Sequence, residues 1–127
     1  MVTFAEVREL ALALPSAEEG TSYGTPAFKV RGTLFARLRE EGDVLVVKVD
    51  SDYRDALVRS APDTYFITPH YEKSPMVLMR LSNVNREELG ELLTDSWRIS
   101  APKRLVATFN AEAEMRPPPG PLPMRRG

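Results

Sequence analysis

The chain contains no cysteine, and it has one histidine among its 127 residues. The first absence removes disulfide frameworks, cysteine-ligated zinc, iron–sulfur clusters and thiol catalysis together. The second leaves His70 alone, so histidine-rich metal sites and most catalytic triads lack parts. An excess of either charge is missing too. Lys plus Arg number 17 and Asp plus Glu 18, a formal net charge of -1, which argues against a surface coated by nucleic acid. No apolar run approaches the roughly 18 residues of a membrane span, and the chain opens in an amphipathic pattern instead of a basic start and an apolar stretch. A membrane partner is therefore not expected, and the cytoplasm is the expected compartment. What is present, 43% hydrophobic and 28% charged residues, describes one ordinary globular core.

Helix signals open the chain. Thr3 and Glu6 form a capping box, Val2 can staple onto Val7, and Phe4, Val7, Leu10, Ala11 and Leu14 recur at helical spacing until Pro15. The Gly-, Ser- and Thr-rich stretch from Ser16 to Pro26 reads as a loop. From Ala27 to Val49 the period changes to two, which predicts strands over Phe28 to Arg31, Leu34 to Arg39 and Val44 to Val49, joined by hairpins. Asp50 or Ser51 caps a short helix to about Ser60. Strands over Tyr65 to Thr68 and Met76 to Leu81 flank the loop Pro69 to Pro75. Asn85 with Glu88 caps a helix carrying Leu89, Leu92, Leu93 and Trp97, and Pro102 opens another carrying Leu105, Val106 and Phe109. The order predicts an α+β domain over residues 1–115, an antiparallel sheet of about five strands with helices packed on one face. Residues 116–127 hold five of the eleven prolines and read as a disordered, polyproline-like tail.

Charge is uneven along the chain. Residues 1–96 carry 11 bases and 16 acids, and residues 97–127 carry 6 and 2. Positions 20–39 contain no acid and four bases, Lys29, Arg31, Arg37 and Arg39. A three-residue turn centred on Gly32 places Phe28, Val30, Leu34, Ala36 and Leu38 on one face. Lys29, Arg31, Phe35, Arg37 and Arg39 then share the other, a register that avoids burying an unpaired arginine. The same alternation puts Lys48 and Arg80 outside. A basic face with one aromatic suits phosphates and a stacked base, but on spacing alone it reads first as a solvated strand face.

Three segments, in order, carry a family resemblance. They are Ser22-Tyr-Gly-Thr-Pro-Ala-Phe-Lys-Val-Arg-Gly-Thr-Leu-Phe-Ala-Arg-Leu38, Thr68-Pro-His-Tyr71 and Trp97-Arg-Ile-Ser-Ala-Pro-Lys-Arg104. Together they resemble the MmcQ/YjbR family over about residues 3–109. The resemblance implies a frataxin-like (CyaY-like) α+β fold and DNA binding, and it supplies no catalytic residues. Where that family often has Trp, at the start of the strand after the His-Tyr loop, this chain has Met76.

Other constellations are weaker. His70 beside Tyr71 reads first as a residue that structures its loop, and otherwise as part of a small-ligand loop or a general base without an evident partner. Gly20-Thr-Ser-Tyr-Gly-Thr-Pro lacks the ending of a phosphate-binding Walker loop and precedes a strand. The pairs Glu18-Glu19, Glu40-Glu41 and Glu87-Glu88 diverge on a helix or strand, so no metal or cofactor is expected. Trp97 continues a core stripe, and Lys103 and Arg104 extend the basic surface. The first expectation is a non-enzymatic DNA-binding protein contacting phosphates through Lys29, Arg31, Arg37, Arg39, Lys103 and Arg104, with Phe35, Lys48 and Arg80 on the same face. The second is a protein-interaction module or homodimer anchored by Phe35. An enzyme or ligand binder around His70 and Tyr71 comes third.

Overall fold

The computed structural model describes residues 2–115, so the proline-rich segment falls outside the described residues. Helix α1 (Phe4–Leu12) starts on the expected reciprocal cap between Thr3 and Glu6. Six strands follow: β1 (Ala17–Ser22), β2 (Thr25–Val30), β3 (Thr33–Leu38), β4 (Val44–Lys48), β5 (Tyr65–Phe66) and β6 (Met76–Arg80). Between them lie α2 (Ser51–Ser60), capped by Asp50, and a 3-10 turn at Pro69–Tyr71. Helices α3 (Arg86–Ser100) and α4 (Lys103–Met115) close the described chain. The strands form one open antiparallel sheet in the order β1-β2-β3-β4-β6-β5.

One more strand forms than expected, because the stretch read as a loop contains β1. Glu18, Glu19 and Gly20 favour strands poorly. They are held by the ladder to β2, in which Glu18 faces Lys29 and Ser22 faces Thr25. Tyr23 and Gly24 make the intervening turn, both at positive φ (55° and 79°), as a type I′ hairpin requires.

The β2–β3 hairpin corrects the predicted register. Its turn has two residues, Arg31 and Gly32, at φ of 50° and 85°, with Val30 facing Thr33. Lys29 then faces Leu34 while Phe28 faces Ala36, so β3 carries one extra residue, Phe35. This bulge turns both Phe35 and Ala36 into the core and restores Arg37 to the opposite face. Phe35 is fully buried, not a member of the basic face. Leu34, expected in the core, stands beside Lys29 outside it.

The core lies between the sheet and the helices. Phe28, Val30, Phe35, Leu45, Val47, Val77 and Met79 from the strands meet Val7, Ala11, Leu89, Leu92, Leu93 and Trp97 from α1 and α3. Leu105, Val106 and Phe109 of α4 pack at its margin. The other face of the sheet has a smaller cluster, Val44, Val46 and Leu78, packed against Phe66, Tyr71 and Met76. The segment between β5 and β6 is further fixed by Arg54, whose guanidinium donates to the Ser74 carbonyl at 2.7 Å.

Candidate functional site

The side chains expected to bind phosphates do not form one continuous basic surface. Lys29 has Glu18 directly across the ladder. Lys48 faces Met76 and Arg80 faces Val44 on β6 and β4, and the Arg80 guanidinium lies 4.3 Å from the Phe66 ring centroid. Arg31 is in the hairpin turn, where it borders a separate cleft with Arg104, Pro102 and Thr108. Lys103 borders a neighbouring apolar depression formed with Ile99, Ala101 and Val106. Arg31, Lys103 and Arg104 are thus grouped near the start of α4, at the far end of β3 from Arg39.

That end of β3 contains the more developed site. Tyr23 from the β1–β2 turn, Arg37, Arg39 and Glu40 from the end of β3, and Thr68, His70 and Tyr71 from the 3-10 turn line a pocket of about 270 Å³. Arg37 is its base. Only 5% of the residue is exposed, and its Nη1 donates to the Tyr71 hydroxyl at 2.7 Å while Nη2 donates to Glu40 Oε1 at 2.6 Å. Its buried Nε has no hydrogen-bond partner among the described residues. The Tyr23 ring lies 5.1 Å from the Arg37 guanidinium carbon, and Tyr23 is 78% exposed. Arg37 was expected on an accessible face; its charge is instead enclosed beneath an aromatic lid and beside a carboxylate.

Arg39 pairs with Glu41 at 3.3 Å. The Glu40 carboxyl is held below the usual carboxylate range, first by the Arg37 hydrogen bond. His70 is exposed, and its ring meets the Tyr71 ring edge-on at 4.7 Å between centroids. The pocket therefore joins two guanidinium groups, an imidazole, a hydroxyl from Thr68 and a solvent-facing aromatic surface. These groups can bind an anion and hold a planar ring above it. Among the described residues, no group of three or more His, Cys, Asp or Glu is placed to hold a metal ion. Among the same residues, no helix is long and apolar enough to cross a membrane.

Arg37, Arg39, His70 and Tyr71 were legible as candidates, although as members of two different sites. Tyr23, Glu40 and Thr68 were missed. Tyr23 was the readable one, because an aromatic before Gly24 in a turn is forced outward when both residues adopt positive φ.

A family model, YjbR, matches residues 12–99. Uncharacterised proteins of Mycobacterium bovis and Mycobacterium tuberculosis are 41% identical over 73 residues, which is 57% of this chain and 57% of each relative. The chain thus matches little more than half the length of these curated relatives. A crystal structure of a Deinococcus radiodurans protein containing the DUF419 domain has the same fold, with a TM-score of 0.69 and 27% identity over 78% of both chains.

Proposed function

The chain belongs to the YjbR family, and on that premise we propose that it binds nucleic acid, without catalysing a reaction, at the pocket between Tyr23, Arg39 and His70. The observation that carries this reading is the exposed Tyr23 ring beside two arginines in an open pocket. Such a ring offers a base a stacking surface, and the adjacent guanidinium groups suit its phosphate.

The sheet face supplies few further cations. Lys29 is beside Glu18, Arg80 lies over the Phe66 ring, and Arg31 borders a separate cleft at the other end of β3. Few phosphates would be neutralised, so unstacked single-stranded ends fit better than a long duplex. Salt dependence should be shallow, with a log–log slope of about -0.7 per phosphate contacted. His70 is read as a binding group because its exposed ring lines the pocket with Tyr23 and Arg39.

Fluorescence anisotropy with labelled single- and double-stranded oligonucleotides at low salt tests the proposal. Single strands should bind more tightly, and Tyr23→Ala should weaken them about tenfold, the loss of roughly one stacked base. Absence of binding to either form, or equal binding by wild type and Tyr23→Ala, counts against it. The homodimer alternative loses its proposed anchor, since the fully buried Phe35 cannot contact a second copy.

A further inference from the structure

We infer that the Arg37 pocket is selective for a phosphomonoester, the terminal phosphate of a strand or of a free nucleotide, and that Glu40 occupies the phosphate's place until it arrives. The inference rests on the nucleic-acid reading and narrows its ligand.

The argument begins with an imbalance in exposure. The Arg37 side chain is 6% exposed, whereas the carboxylate neutralising it is 63% exposed. A buried guanidinium needs a counter-charge and a full set of acceptors. Here the counter-charge reaches in from solvent, three residues along the chain, and can rotate away without disturbing the core. Tyr71 accepts one further hydrogen bond, and Nε–H is left without an acceptor among the described residues. Arg37 therefore has donor capacity that its protein partners do not use.

A phosphomonoester supplies what is missing. It carries about -1.5 to -2 charge at neutral pH and three terminal oxygens, against a single negative charge for the diester inside a strand. Two of its oxygens can take paired N–H donors from one guanidinium, as a single Glu40 oxygen does not. Arg39 is the second cation within reach, and its partner is likewise an exposed carboxylate, Glu41, at 48% exposure. The space of about 270 Å³ suits one phosphate and its sugar instead of a continuous backbone, with the Tyr23 ring at the pocket margin for the base. Binding then exchanges the Arg37–Glu40 pair for an Arg37–phosphate pair, so Glu40 competes with the ligand.

The test compares the same short single strand bearing a 5′-phosphate, a 3′-phosphate or hydroxyls at both ends, with a nucleoside monophosphate as competitor. At least one phosphorylated strand should bind about tenfold more tightly than the hydroxyl form. Glu40→Gln should enlarge that preference several-fold, and Arg39→Ala should remove most of it. Both substitutions lie at partly exposed positions, so neither depends on the survival of a buried arginine variant. Competition by the monophosphate at concentrations that compete with the strand identifies a free nucleotide as sufficient; failure to compete identifies the strand end. Equal binding of phosphorylated and hydroxyl strands, or weaker phosphate binding in Glu40→Gln, overturns the inference while leaving nucleic-acid binding intact. Binding of the monophosphate by a protein that binds none of the strands overturns the nucleic-acid reading and leaves the phosphomonoester site standing.

Discussion

The Trp97 indole Nε1 donates to the Pro15 carbonyl at 2.9 Å, tying the second half of α3 to the chain leaving α1. The indole is fully buried and lies 4.9 Å from the Phe109 ring, so three segments meet at one side chain. Trp97→Phe keeps most of the apolar contact but strands the carbonyl and leaves a small void. It should cost about 2–4 kcal/mol in urea unfolding, with an unchanged denaturant slope. A loss below about 0.5 kcal/mol would mean that the hydrogen bond contributes nothing net and the core closes the gap.

Phe35 separates the bulged register from the regular one. In the core, Phe35→Ala should lower stability by about 3–5 kcal/mol. On a solvated strand face the same change stays within about 0.5 kcal/mol. Urea unfolding decides between them, and it can be read without any ligand.

Gly90 lies inside α3, where glycine is a poor helix former, and a Cβ there would meet only the Leu10 side chain at 3.9 Å, an ordinary contact. Gly90→Ala should therefore stabilise the protein by about 0.5–1 kcal/mol. Thermal unfolding should show a rise in Tm of several degrees. A fall would indicate that α1 and α3 cannot accommodate the methyl group.

Stability should decline at both ends of the pH range. Glu19 is held below the usual carboxylate range by its hydrogen bond to Arg8, and Glu40 by its hydrogen bond to Arg37. Their contributions are complete above the ordinary value of about 4.3 and are lost as pH falls through the lower folded values. Tyr65 is raised above the usual phenol range, first by burial and then by its hydrogen bond to Glu88. Its contribution is complete below about 10 and is lost as pH rises. Urea midpoints measured across pH should flatten on the acid side in Glu19→Gln and Glu40→Gln, and on the alkaline side in Tyr65→Phe. Wild-type curvature retained in these variants would place the titration elsewhere.

The helices were legible where their signals are local. Thr3 with Glu6 and Asn85 with Glu88 each complete a cap within one turn, and both form as read. The family resemblance and the α+β fold were legible from ordered segments spread along the chain. The bulge at Phe35 was not, because alternation is readable only while each residue has one partner, and nothing local marks the residue that has none. Strand β1 was missed for a related reason. Its acids and glycine have no strand preference of their own, and pairing with β2 determines their conformation. At the pocket, the residue types were visible but their convergence was not, since Arg37 and Tyr71 meet only when the segment between β5 and β6 folds across the sheet.

The two free margins of that sheet bear on how the protein behaves at high concentration. One is β5, two residues long and too short to recruit another strand. The other is β1, where Glu19 belongs to the helix-covered side opposite Phe28 and is bound by Arg8 of α1. A strand adding to β1 would have to pack against that charged pair and beside Glu18, so chain-to-chain growth of the sheet is disfavoured at both ends. The acids that weakened the sequence signal for β1 are the same ones that keep it from becoming a template for aggregation.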